Sequence, residues 1–248
     1  LSPLALNVAV ATYLMVLCNR TFWGHLLRIF DGWTVSAVVF AAAVWALMLL
    51  VISLLAVRRL QKPVLVALLV VAAVTSYYVD VLGVVVDRDM IQNAMTTTVA
   101  ESKHLITAQF IGHVSLYGLL PAVLVVAVRV RRATMWRGLG AWALVSAGTA
   151  ALVVGLLFTN LQGYSTVLRA DKELMASVQP LAPMGGALRY ARMMLKSTNI
   201  VLRPTGTDAM PGPLLAKADK PVLMVIVAGE TARAANWSLG GYERDTNP

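Results

Sequence analysis

The sequence predicts a membrane protein of all-α class: five transmembrane helices and interfacial helices, followed by the first strand and turn of an α/β domain. Three observations predict it. Of 248 residues, 58% are hydrophobic and only 13% charged, where ordinary soluble domains carry roughly 25% charged residues. Uncharged stretches long enough to span a bilayer recur along the chain. The charges themselves are partitioned: sixteen of the 33 fall in residues 1–168 and seventeen in the last 80. A disordered chain is excluded by the same figures.

Each span follows from an uncharged run. Stretches 1–19, 32–57, 104–128 and 138–168 each supply one, and Pro63 to Val86 supplies a fifth, interrupted only by Asp80 near its end. The expected helices lie near 3–22, 33–57, 63–85, 105–128 and 138–159, within a transmembrane domain over 1–160. The first run is not a signal peptide, because no charged segment precedes it and no clear small-residue cleavage site follows; the missing initiator Met suggests a trimmed start. Trp23, Trp33 and Trp136 stand at expected helix ends, as interfacial anchors do. Cys18 permits no internal disulfide and is expected to pack as a small apolar residue.

The net charge of +9 would mark a soluble chain as a nucleic-acid binder. Here seven of the cations, Arg58, Arg59, Lys62, Arg129, Arg131, Arg132 and Arg137, crowd into two very short loops. The opposite loops hold Arg20, Arg28, Arg88 and Lys103 among Asp31, Asp87, Asp89 and Glu101. Basic residues stay cytoplasmic, so the amino terminus is expected inside and everything after the fifth helix outside, on the periplasmic face of a bacterial inner membrane. No nucleic-acid partner is expected.

After Asn160 the pattern changes. Val167 to Val178 and Ala187 to Leu195 mix apolar residues with Arg169, Lys172, Arg189, Arg192 and Lys196, the composition of amphipathic helices lying in the membrane interface, expected over 161–202. Their cations would attract an anionic lipid, or only seat the helices on headgroups. Proline and glycine between Arg203 and Pro213 mark a linker, expected over 203–220. From Pro221 a new folding unit begins over 221–248: Val222 to Val227 has the composition of a buried strand, Gly229 turns it, and Glu230 stands where open α/β sheets bind ligands. There Glu230 either holds a divalent metal or caps the next helix.

The outer loop after the third helix is the most polar part of the membrane portion. Asp89 is expected to cap a helix whose first turn contains Gln92. On that helix Asn93, Thr97 and Glu101 fall at i, i+4 and i+8 and so share a row. The row suits a lipid headgroup, Glu101 meeting an ammonium and Asn93 and Thr97 donating to phosphate, or it is a solvated helix face. Asp80 is a functional candidate because acids in membrane segments usually are, or it is simply hydrated. His113 is expected to bond to a neighbouring helix.

Two segments carry a family resemblance, and the stretch with Tyr77, Tyr78 and Asp80 is similar to the same family as well. Val225-Ile226-Val227-Ala228-Gly229-Glu230-Thr231-Ala232-Arg233, continuing as Gly241-Tyr242-Glu243-Arg244-Asp245-Thr246-Asn247-Pro248, resembles the opening of the catalytic domain in the lipid A phosphoethanolamine transferases. Those enzymes confer polymyxin resistance and belong to the alkaline phosphatase and sulfatase superfamily. Met90-Ile91-Gln92-Asn93, with Thr97 and Glu101, is similar to the family's segment for phosphatidylethanolamine use, although Thr98-Val99-Ala100 differs from the usual flanking residues. The resemblance implies a sulfatase-like fold for the tail, Glu230 as a zinc ligand, and Asn93, Thr97 and Glu101 as substrate-binding residues. It implies transfer of phosphoethanolamine from phosphatidylethanolamine to lipid A, through a nucleophilic threonine and further Asp and His ligands that lie beyond Pro248. Thr231 and Thr246 are in the wrong motif for that nucleophile, and His25, His104 and His113 belong to the membrane portion. The chain is therefore expected to be an inactive, truncated piece, with Tyr242, Arg244 and Thr246 structural. The remaining alternatives are a related phosphoglycerol or core-sugar phosphoethanolamine transferase, and a non-enzymatic transport or receptor module; paired glycine or proline breaks that would favour a transporter are missing.

Overall fold

A computed structural model describes residues 1–98, 102–131 and 134–197, and after them 206–208, 210, 212, 220–223, 225 and 233–246. It divides into two compact units, Leu1–Asn199 and Ile200–Pro248. The first is a helical bundle. Its elements are α1 (Pro3–Leu17), α2 (Arg20–Ile29), α3 (Val35–Leu55), α4 (Gln61–Leu82), α5 (Arg88–Thr96), α6 (Ala108–Ala127), α7 (Met135–Phe158), α8 (Leu161–Ala170), α9 (Lys172–Ala176) and α10 (Leu181–Ser197).

Four of these, α3, α4, α6 and α7, are long and apolar enough to cross a membrane, and α1 with α2 makes a fifth if that bent pair is one span. The expected straight first helix is corrected here. It stops at Leu17 and restarts at Arg20 with a 69° bend. The cause is Asn19, whose Nδ2 donates to the Leu14 carbonyl at 2.8 Å and so competes for an acceptor of the last turn.

Local chemistry sets the other boundaries. Ser2, Thr34 and Thr107 each accept a backbone N–H of the following first turn, at 3.1, 3.2 and 3.1 Å, starting α1, α3 and α6. Gly83, at φ +64°, ends α4 in the left-handed conformation that glycine adopts without strain. α6 carries one π-helical turn, Ser115–Leu119. Tyr13 on α1 donates its hydroxyl to the Tyr117 carbonyl in that turn at 3.0 Å. At Gly118, in the same turn, an added Cβ would come within 2.9 Å of the Ala73 side chain, so a small residue lets α6 approach α4 closely.

The core runs between α1, α2, α3 and α4, around Leu14, Phe22, Leu26, Phe40, Met48, Ile52, Leu65 and Leu69, all fully buried. A polar bridge crosses it at one end: Gln61 donates to the Pro3 carbonyl (2.7 Å) and to Asn7 Oδ1 (2.9 Å), and Asn7 donates to Ser53 Oγ (3.4 Å). Each buried amide thereby gains hydrogen-bond partners inside the apolar medium. Cys18 is buried as expected.

The segments expected to lie at the interface are anchored in this bundle. Tyr164 of α8 is 2% exposed, packs on Phe30 and Phe40 with ring centroids 6.3 and 5.4 Å away, and donates to the Ser36 carbonyl. Leu174 and Val178 are buried completely.

In the second unit the described residues form two short 3-10 turns, Ala234–Asn236 and Ser238–Gly240, closed by Gly241 at φ +100°. Thr246 fastens them: its hydroxyl donates to the Asn236 carbonyl and accepts from the Ser238 N–H at 3.2 Å. Of the strand expected over Val222 to Val227, only Val222, Leu223 and Val225 are described, and they are in no strand. A single strand needs a sheet partner, and the described residues contain none. Most of the linker lies outside the described residues, as does Glu230.

Candidate functional site

The site is built at the end of the bundle where α4 gives way to α5. Asp87, not Asp89 as the sequence suggested, caps α5, its Oδ1 accepting the Met90 N–H at 2.9 Å. Asp89 is taken by Arg88, with contacts of 2.6 and 2.7 Å. Two acids in succession leave the capping position ambiguous by sequence. The helix is short and exposed, so its placement depends on what it touches.

Its contact with α10 fixes it. At Gly186 on α10 an added Cβ would meet the Asp87 carbonyl carbon at 2.9 Å and its oxygen at 3.1 Å. Only glycine allows α10 to lie so close to the start of α5. A glycine inside a helix costs about 1 kcal/mol relative to alanine, and here the close approach accounts for it. The return to α6 is held separately: Tyr78 donates to the Leu105 carbonyl at 3.2 Å and the Tyr77 hydroxyl lies 3.2 Å from Thr107 Oγ1. Phe110 and His113 complete that aromatic cluster around Tyr77, at centroid distances of 5.3 and 5.5 Å. His113 Nε2 also sits 3.2 Å from Ser76 Oγ on α4, the helix-to-helix bond expected for it.

The row of three polar residues is reached only in part. Asn93 and Thr97 are adjacent and exposed on one side of α5, and the Thr97 hydroxyl donates to the Asn93 carbonyl at 2.7 Å. Thr97 is the C-cap with extended backbone, so the helix does not carry the row on to i+8. Glu101 lies outside the described residues. Since the Thr97 proton points at Asn93, its outward lone pairs accept, where the sequence suggested donation to phosphate.

Asp80 has a definite partner. It accepts the Thr21 N–H at 3.3 Å and the Thr21 hydroxyl, and so caps the first turn of α2 in place of Asn19. The carboxylate is well placed at the positive end of that helix. Asn19 is unavailable because it is bonded to Gln179, between α9 and α10. Sequence reasoning missed Asn19, Gln179, Asp87 and Gly186. Only the Gly185-Gly186 pair, unusual inside an amphipathic helix, offered a signal for one of them.

Among the described residues no three His, Cys, Asp or Glu side chains converge as metal ligands would. The described residues of the chain therefore do not themselves make up a metal centre.

Fold and site together define a polytopic helical membrane domain with a short, exposed polar helix at one end. The chain belongs to the phosphoethanolamine transferase EptA/EptB family, whose model matches residues 44–195, more than half of it. It is 35% identical along its whole length to phosphatidylethanolamine transferase Mcr-1 of Escherichia coli, covering 46% of that protein. Over 73% of the chain it is 35% identical to phosphoethanolamine transferase EptA of Salmonella typhimurium, covering 33% of it. Its fold matches the integral membrane lipooligosaccharide phosphoethanolamine transferase A of Neisseria meningitidis with a TM-score of 0.79, at 24% identity over 97% of this chain and 45% of that one. The chain spans about half the length, or less, of the relatives it matches.

Proposed function

We propose that this chain is the membrane-domain part of a transferase that moves phosphoethanolamine from phosphatidylethanolamine to lipid A in the bacterial inner membrane, with the α5 end facing the periplasm. The relatives' names include a phosphatidylethanolamine transferase, and the family match takes in α5, α6 and nearly all of α10. The observation that carries the reading is the Asn93–Thr97 pair, exposed side by side on a helix whose start is packed against α10.

The pair suits a zwitterionic headgroup. The Asn93 amide donates to a phosphate oxygen while Thr97 Oγ1 accepts an ammonium N–H, with Glu101 supplying a carboxylate for the same cation. A phosphoglycerol donor has no ammonium to use that acceptor. Anchoring in the bilayer keeps the site beside two lipids that never leave it. Glu230 would be one ligand of a zinc ion, which would supply the charge to lower the pKa of a hydroxyl and to neutralise phosphoryl oxygens. The nucleophile and the other ligands belong to the part of the protein that this chain does not span, and the chain alone is inactive.

The experiment is phosphoethanolamine transfer by the full-length protein carrying Glu230→Ala, with zinc content measured alongside. Loss of both transfer and bound zinc is expected; undiminished transfer overturns the assignment of Glu230.

A further inference from the structure

The start of α5 and the outer part of α10 enclose a cleft that headgroup binding at Asn93 and Thr97 does not use. Arg189, Arg192 and Lys196 are spaced i, i+3 and i+7, so they share one face of α10, and all three are exposed. With Asp87, Arg88, Asp89 and Met193 they line a hollow of about 550 Å³. Both acids there are engaged, Asp87 by the Met90 N–H and Asp89 by Arg88. Ion pairs among the described residues join Arg88 to Asp89 and His25 to Asp171, and none reaches the three cations of α10. Four cations against two acids leave the cleft with an excess of two positive charges.

A second hollow, of about 640 Å³, lies beside the first, with Asp87 and Arg189 lining both. Its walls are largely apolar, from Leu47 in the interior of α3 through Val85, Val86, Met175, Leu181 and Ala182, and the Lys172 and Glu173 beside them cancel in charge. A cationic hollow beside an apolar one has the polarity of a lipid. The outward Leu188 and Leu195, 53% and 75% exposed, suit a helix lying at headgroup level. An excess of two positive charges matches a phosphate monoester, whose charge approaches −2 near neutral pH, better than a singly charged diester or a zwitterion.

We propose that this cleft binds a membrane lipid whose headgroup ends in a phosphate monoester, with Arg189, Arg192 and Lys196 on the phosphate oxygens and the apolar hollow receiving an acyl chain. As the seat of the acceptor phosphate the site rests on the transferase reading. As a lipid site it stands on the cleft alone.

The test is native mass spectrometry of the 248-residue chain in detergent, titrated with phosphatidic acid, phosphatidylglycerol and phosphatidylethanolamine. Phosphatidic acid, the phosphate monoester, is expected to bind at least about tenfold more tightly than the other two, from roughly 1 kcal/mol per interfacial cation. Arg189→Ala with Arg192→Ala removes that preference. Arg169→Ala, on α8 outside the cleft, keeps it. Lys196→Ala, at the exposed end of α10 where truncation disturbs no packing, weakens it about fivefold. Equal binding of phosphatidic acid and phosphatidylglycerol overturns the proposal, as does an unchanged preference in the double and the Lys196 variants. Displacement of the lipid by millimolar inorganic phosphate also overturns it, by showing a free-anion site. Transfer by the full-length protein, assayed separately, distinguishes the two readings: lost lipid preference with intact transfer sinks only the cleft, and absent transfer with intact preference sinks only the transferase.

Discussion

Asn19 and Gln179, 160 positions apart in sequence, exchange two hydrogen bonds: the Gln179 N–H donates to Asn19 Oδ1 at 2.6 Å and Asn19 Nδ2 donates to the Gln179 carbonyl at 2.9 Å. Both residues are 1% exposed. The Gln179 side chain extends the link to α4, where the Thr75 hydroxyl donates to its Oε1 at 2.7 Å. One asparagine thus breaks the first span and ties the segment leading into α10 to the bundle.

Asn19→Ala leaves the buried Gln179 N–H and carbonyl unpaired, which costs about 2–3 kcal/mol for such groups. A lower unfolding temperature in detergent and faster proteolysis across α9 and α10 are expected. Asn19→Asp keeps the acceptor and loses the donor, so its effect on proteolysis should be intermediate.

Asp80→Ala removes the acceptor from the first turn of α2, a loss of roughly 1 kcal/mol for a helix cap. Hydrogen exchange of the Thr21 amide is expected to quicken while amides of α3 stay protected. Asp80→Asn retains an acceptor and should restore most of the protection.

Gly186→Val places side-chain atoms where the Asp87 backbone stands, and overpacking of this kind costs about 1–3 kcal/mol. The start of α5 is expected to move away from α10. Spin labels on the two helices should report a wider separation, and transfer by the full-length protein should fall although no substrate contact has been altered.

Thr97→Val removes the outward acceptor and the bond to the Asn93 carbonyl, whereas Thr97→Ser keeps both. In the full-length enzyme the valine variant is expected to raise KM for phosphatidylethanolamine about tenfold, the worth of one hydrogen bond to a charged group. The serine variant should stay near wild type.

The spans were legible because an uncharged apolar run of sufficient length has few other soluble or membrane fates; α3, α4, α6 and α7 all fall on such runs. The break at Cys18–Asn19 was not, because nothing in the apolar run marks Asn19 as bonding back to the Leu14 carbonyl, and Gln179, which also holds that side chain, lies 160 residues away. Asn93 and Thr97 were legible as neighbours from helical spacing, but that spacing assumed a helix reaching position 101, and α5 ends at Thr96. Asp80 was legible as significant and not as a cap, since Thr21 meets it only through the bend between α1 and α2. The cleft cations were visible as an amphipathic pattern, while the acids facing them came from the α5–α10 contact at Gly186.

The most direct measurement is mass spectrometry of lipid A from cells that express the full-length protein with phosphatidylethanolamine as the only donor. Lipid A carrying added phosphoethanolamine is expected with the wild-type protein, and most of that signal should vanish with Asn93→Ala combined with Thr97→Val. Unmodified lipid A with the wild-type protein, or modification that survives the double substitution undiminished, would contradict the proposal that this domain presents the donor headgroup for transfer.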